Sequence, residues 1–367
     1  MQPQTALSRV GRLHTRTAWL ILVALAVLAL VVVPVLNLVV PPDHPLHMPG
    51  WMVTLAGRFL CLALVALALD LIWGYTGILS LGHGVFFAMG GYVMGAHLTR
   101  VAYDDGRLPN FLQWLDYSDW PWYWAGFDSF LFTLVMIGLV PGILAFIFGF
   151  LAFRSRVRGV YFAIITQALT FGGMHLFFRT ETGFGGDTGL TNFDTLLGFE
   201  LGTPGSRLGL FWVSAATLIA AYLLCRWIVT SKLGRVMTAI RDAETRLRFT
   251  GYDPLRYKLF VWVVSAVLCG VAGALYVPQT GVINPSEMAP PASIEMAIWV
   301  ALGGRGTLVG AIAGAGIVNV VKTWATSAYP DLWLYILGAM FIGVTLFLPK
   351  GVVGILGMLR RRRGGEA

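Results

Sequence analysis

Few side chains in this 367-residue chain can do chemistry, and the first, Asp70, stands inside the apolar run Trp51 to Trp73. A carboxylate in such a run is costly and turns toward a protein interior or a wet cavity. Two roles stay open for it: a cap on Trp73-Gly74-Tyr75, or a contact along a solute pathway. Gly74 to Gly84 follows directly, with Gly74, Gly77, Gly82 and Gly84 interrupting it and Ser80 and His83 adding polar groups. Glycine costs a helix interior about 1 kcal/mol relative to alanine, and irregular backbone in lipid is tolerated only where protein or water surrounds it. Such a break can line a pathway for a small polar solute; close helix packing through small residues is the alternative. Gln167 places a mid-span amide that bonds a neighbouring helix or a solute.

Enzymatic signatures are missing. A P-loop needs Lys after Gly to cradle phosphate, but Lys232, Lys258, Lys322 and Lys350 follow Ser, Tyr, Val and Pro. If transport is ATP-driven, another chain supplies the ATPase. His44 and His47 have only Asp43 beside them, and Cys61, Cys225 and Cys269 sit apart in apolar runs without a CxxC, so no metal site or disulfide framework is indicated. Gly303-Gly304-Arg305-Gly306 lacks the strand and helix of a dinucleotide fingerprint and reads as a second break between apolar segments.

The loop 231–258 is basic and structured. Val236, Ala239, Ile240, Ala243 and Leu247 recur at helical spacing. Asp242 with Arg246, and Glu244 with Arg248, are acid-before-base pairs four apart. Gly251 and Asp253-Pro254 stop the helix. The result is an amphipathic helix of about four turns, either resting on anionic lipid or docking a cytoplasmic motor through residues such as Arg241, Asp242, Glu244, Arg248 and Gly251.

These residues need a membrane to position them. Of the chain, 57% is hydrophobic and 12% charged, against roughly 25% charged in soluble domains, which excludes a soluble or disordered protein. The expected class is all-α: a polytopic membrane protein of about ten transmembrane or re-entrant helices. Spans are expected at 18–40, 51–73, 78–98, 128–152, 159–178, 208–230, 259–277 and 332–348, with weaker segments at 293–302, too short to span alone, and 307–324. The first ends in Pro41-Pro42 rather than at a small-residue cleavage site, so it reads as a retained span. Short cytoplasmic loops retain Lys and Arg. Arg9, Arg12 and Arg16, Arg154 to Arg158, the basic residues of 231–258, Arg305, and Lys350 with Arg360 to Arg363 then share one side, and both termini are cytoplasmic. The net charge of +8 is therefore an orientation signal rather than a nucleic-acid signal. The organisation is a basic segment 1–17, a membrane domain 18–349 with an outer segment 99–127, an outer loop 179–206 and the inner loop 231–258, and a basic tail 350–367. The aromatic residues of 103–127 suit a membrane-interface lid or the docking of an outside partner.

Four runs carry a more specific likeness: LDLIWGYTGILSLGHGVFFAMGGY (69–92), FRSRVRGVYFAIITQALT (153–170), RDAETRLRFTGYDPLRYKL (241–259) and INPSEMAPPASIEMAIWVALGGRGTLVGAIAGA (283–315). They resemble the permease subunits of branched-chain amino acid type ABC importers. FFRTETGFGGDTGLTNF (177–193), with the ITQALT run, is similar to the urea-transporting branch of that family. The resemblance implies a subunit of the bacterial inner membrane that works with a homologous second permease, two cytoplasmic ATPases carrying ATP and Mg, and a periplasmic solute-binding protein. It binds no cofactor of its own, and residues 241–252 serve as the coupling helix. Urea is then the expected solute, with branched-chain amino acids or short amides as the alternative. A self-sufficient channel or secondary transporter is the reading from another class.

Overall fold

The computed structural model describes residues 31–332 apart from 39, 42, 45, 104–106 and 158, together with residue 27 and short stretches at 335–336, 338–340, 342–343 and 351–352. The segment 1–17, most of the expected spans 18–40 and 332–348, and nearly all of the tail 350–367 lie outside the described residues.

Besides the short helices Val33–Leu38 and Asn110–Gln113, nine longer helices organise the described chain: α1 Gly50–Thr76, α2 His83–Ala102, α3 Phe130–Arg154, α4 Val160–Phe178, α5 Pro204–Thr230, α6 Lys232–Phe249, α7 Pro254–Thr280, α8 Pro290–Gly303 and α9 Val309–Ala328. Among the described residues six of them, α1, α3, α4, α5, α7 and α9, are long and apolar enough to cross a membrane. At 1.5 Å per residue the 27 residues of α1 reach about 40 Å, beyond the roughly 30 Å hydrocarbon core. The 14 residues of α8 reach only about 21 Å, so this segment needs its neighbours, as its sequence indicates.

Local chemistry sets the helix ends. Pro204 and Pro254 open α5 and α7, where their missing N–H is harmless, and the Thr203 and Asp253 side chains accept N–H groups of the first turn. Pro254 thus both ends the inner loop and starts the next span. α1 stops at Gly77, whose left-handed φ of 75° lets its N–H return to the Trp73 carbonyl. The expected span 78–98 is shifted, because 77–82 run without helix and α2 begins only at His83.

The core forms where α1, α2 and α7 meet, and α2 is buried along almost its whole length. Backbone touches backbone there: a methyl group on Gly90 would come within 1.9 Å of the Gly270 carbonyl oxygen. Small residues permit this contact, which in lipid replaces the hydrophobic drive to associate. By contrast, α3 and α4 expose Leu134, Phe146, Leu151, Ile164 and Phe171, a surface suited to lipid tails. The segment 99–127 packs against the loop 179–206. Trp124 is buried against Phe184, and the Tyr123 hydroxyl donates to the Thr182 carbonyl at 3.1 Å, while Trp114 and Trp122 stay exposed. The all-α expectation misses two small antiparallel ladders: β1 Leu190–Thr191 with β4 Val282–Ile283, and the hairpin β2 Thr195–Leu196 with β3 Phe199–Glu200.

Candidate coupling and translocation site

The basic loop 231–258 forms α6, with two differences from its sequence pattern. Its most buried side is Gly234, Met237 and Ile240, while Val236, Ala239, Ala243 and Leu247 are half-buried. It also breaks at Ala243, whose backbone leaves helical geometry. Just past the break, Glu244 accepts Arg248 at 2.8 Å, as the spacing indicates, and Lys258 of α7 at 2.8 Å, which the spacing cannot show. The expected Asp242–Arg246 pair is replaced by Asp242 accepting the Arg241 Nε–H at 2.9 Å. Gly251 follows the helix end with φ 83°.

Arg241 faces the membrane domain. Its Nη1 donates to the Gly74 carbonyl at 2.9 Å, in the last turn of α1. A polar cavity of about 160 Å3 lies beside this contact, lined by Thr76, Gly77, Phe153, Arg241, Glu244 and Lys258.

Asp70 lies one turn back along α1 and is fully buried. Its Oδ1 accepts the Gly306 N–H at 2.7 Å and its Oδ2 the Leu308 N–H at 2.9 Å. The carboxylate therefore caps the turn between α8 and α9, not Trp73-Gly74-Tyr75. Bonds from N–H groups to an ionised acceptor are about twice as strong as neutral ones, and this turn needs them, since Leu308 sits at φ 50° without being glycine. The Arg305 guanidinium lies over the Trp73 ring at 5.1 Å. A methyl group on Gly74 would come within 2.4 Å of the Gly306 nitrogen, so glycine lets the two chains touch. The two breaks, far apart in sequence, form one junction.

Ser80 and His83 hold the first break closed. Ser265 donates to the Ala68 carbonyl and so accepts from His83 Nε2–H at 2.8 Å, which leaves Nδ1 to accept from Ser80 at 3.1 Å. Trp262 and Phe86 meet the His83 ring edge-on, at 5.5 and 5.9 Å between ring centroids. The Leu81 N–H donates to Thr166 Oγ1 at 3.1 Å. Next to Thr166, Gln167 differs: both of its amide atoms are shielded from solvent and have no partner among the described residues.

A further polar group was not singled out from the sequence. Lys322 of α9 bridges to Glu295 of α8 at 2.8 Å, Glu295 is buried with its Oε1 unpartnered, and Glu287 lies within electrostatic reach of both. Two acids inside the quoted run 283–315 were the available signal. Among the described residues no three His, Cys, Asp or Glu side chains gather as metal ligands do.

Comparison with known proteins agrees with this architecture. The high-affinity branched-chain amino acid transport system permease protein LivM of Salmonella typhimurium is 25% identical over 355 residues, covering 90% of this chain and 76% of its own. The LivM protein of Escherichia coli is 25% identical over 329 residues, 83% of this chain and 70% of its own. The permease protein BraD of Pseudomonas aeruginosa is 23% identical over 305 residues, 80% and 91% respectively. No solved structure matches the chain. With six apolar helices among the described residues and these permease relatives, the chain is a multi-pass protein of the bacterial inner membrane. A family model described as the permease component of branched-chain amino acid transport systems matches residues 51–345, and the chain belongs to that family.

Proposed function

We propose that this chain is the permease subunit of an ATP-driven importer of a small aliphatic amino acid, with α6 as the element through which a cytoplasmic ATPase moves the membrane domain. One observation carries the coupling role: Arg241 ties α6 to Gly74, at the junction where Asp70 holds the turn between α8 and α9. A displacement of α6 therefore reaches both breaks at once, without a flexible connection between them. Both termini and α6 lie on the cytoplasmic side in this reading, about ten segments enter the bilayer, and the partners are a homologous second permease, two ATPases and a periplasmic binding protein.

Amino acids are the better-supported solute. The relatives reported above are named for branched-chain amino acid transport, whereas urea rests only on the likeness of 177–193. Uptake of labelled leucine and labelled urea by cells with and without this gene separates the two. Loss of leucine uptake on deletion is expected; loss of urea uptake alone contradicts the amino-acid reading.

A further inference from the structure

At the end of the bundle away from α6, a cavity of about 550 Å3 opens between α1, α5, α7 and α9, beneath the outer loop. Its polar lining is lopsided. Arg58 and Arg207 both face it, and among the described residues neither has a carboxylate within ion-pair distance. Arg58 uses two of its five donors on one backbone oxygen, with Nε and Nη2 at 3.1 and 2.7 Å from the Gln279 carbonyl. Among the described residues its other edge is free for a planar oxyanion.

Arg207 is placed against electrostatic preference. Its Nη1 lies against Gly50, where an added methyl group would meet it at 2.8 Å. Gly50 is the first residue of α1, whose N-terminus has neither a side-chain cap nor an acidic residue in its first turn. A guanidinium on the positive end of a helix dipole is unfavourable, and an anion shared by the helix end and the two arginines relieves it. The Gln279 side chain turns away from the cavity: its Nε2 is used by Ser214 and Leu275, and its Oε1 packs against Gly57, where an added methyl group would meet it at 2.0 Å. Trp51, Leu55 and Leu210 supply apolar wall.

Two guanidiniums and an apolar wall match the carboxylate and side chain of an aliphatic amino acid. We infer that this cavity is an outward-facing subsite for the solute's α-carboxylate, which Arg58 and Arg207 hold. The inference rests on the amino-acid reading of the importer. A neutral solute such as urea has no anionic group to neutralise this pair of cations. A lipid phosphate offers the same anionic chemistry from another source.

The test measures equilibrium binding of labelled leucine, at millimolar concentration, to the complete permease–ATPase complex without the binding protein. Unlabelled leucine is expected to displace the label, and leucinamide, which lacks the carboxylate, to do so at least about tenfold less well, the worth of a hydrogen bond to a charged group. Arg207→Gln is expected to weaken binding about tenfold. This variant removes no hydrogen bond seen in the structure. Arg58→Lys, which keeps the charge but loses the planar fork, is also expected to weaken it. The proposal is overturned if the wild-type complex shows no displaceable leucine, if leucinamide competes as well as leucine, or if both variants bind as the wild type does. It is overturned equally if native mass spectra of Arg207→Gln lose a phosphatidylglycerol adduct while leucine binding stays constant, because the cavity then holds lipid. ATP-driven uptake of leucine by a complex whose variants bind normally removes the subsite alone; uptake of urea and not leucine removes the amino-acid reading itself.

Discussion

At the scale of single residues, Asp70 shows how a costly group in a membrane helix can be a structural necessity. Its two oxygens satisfy two backbone donors of a turn that contains a left-handed leucine. Asp70→Asn keeps the shape but offers an NH2 where an acceptor is required. It is expected to lower stability by about 1–3 kcal/mol, the cost of leaving a buried donor unsatisfied, seen as a lower unfolding temperature in detergent. Unchanged stability with an altered KM would place Asp70 in the solute pathway instead. The expense of this carboxylate and of glycine inside a span was legible in the sequence, because both costs are local. That Asp70 bonds Gly306, 236 positions away, was not, because no spacing rule links two segments that meet only in the folded chain.

At the scale of elements, α6 was legible as an amphipathic helix with a stop at Gly251, whereas its break at Ala243 was not, since alanine is the best helix former. The break places Glu244 between Arg248 and Lys258, with the Glu244 and Lys258 side chains 13% and 10% exposed. A double-mutant cycle with Glu244→Gln and Lys258→Gln is expected to give a coupling energy of about 1–3 kcal/mol in unfolding, and additive effects would show that the pair does not tie α6 to α7. Arg241→Ala removes the bond to Gly74 and leaves that tie intact. Its expected outcome is about a tenfold loss of uptake with the unfolding temperature preserved, and normal uptake would remove the coupling role. Elements below the reach of pattern reading were missed for a physical reason: β1 and β4 are two residues each, too short for any alternation to register. α8 was correctly read as too short to span, but its Glu295 and the Lys322 of α9 were passed over, because a pair joining two weak segments has no signature in either.

At the scale of the whole molecule, the charge distribution makes the strongest statement about orientation. Arg154, Arg241 and Arg305 belong to different loops, yet the contacts of Arg241 with Gly74 and of Arg305 with Trp73 bring two of these loops to one end of α1. Reporter fusions at either terminus are expected to be active only as cytoplasmic reporters, and a periplasmic signal from one terminus would change the number of crossings from even to odd.

The central claim is import of an amino acid, powered by ATP hydrolysed on partner subunits. Its most direct measurement is uptake by proteoliposomes that contain the complete complex, with binding protein and labelled leucine outside and ATP available to the ATPases. Leucine is expected to accumulate only with ATP and with the ATPase subunits present, and labelled urea not to accumulate. Flux through this chain alone without ATP, or accumulation of urea in place of leucine, would contradict it.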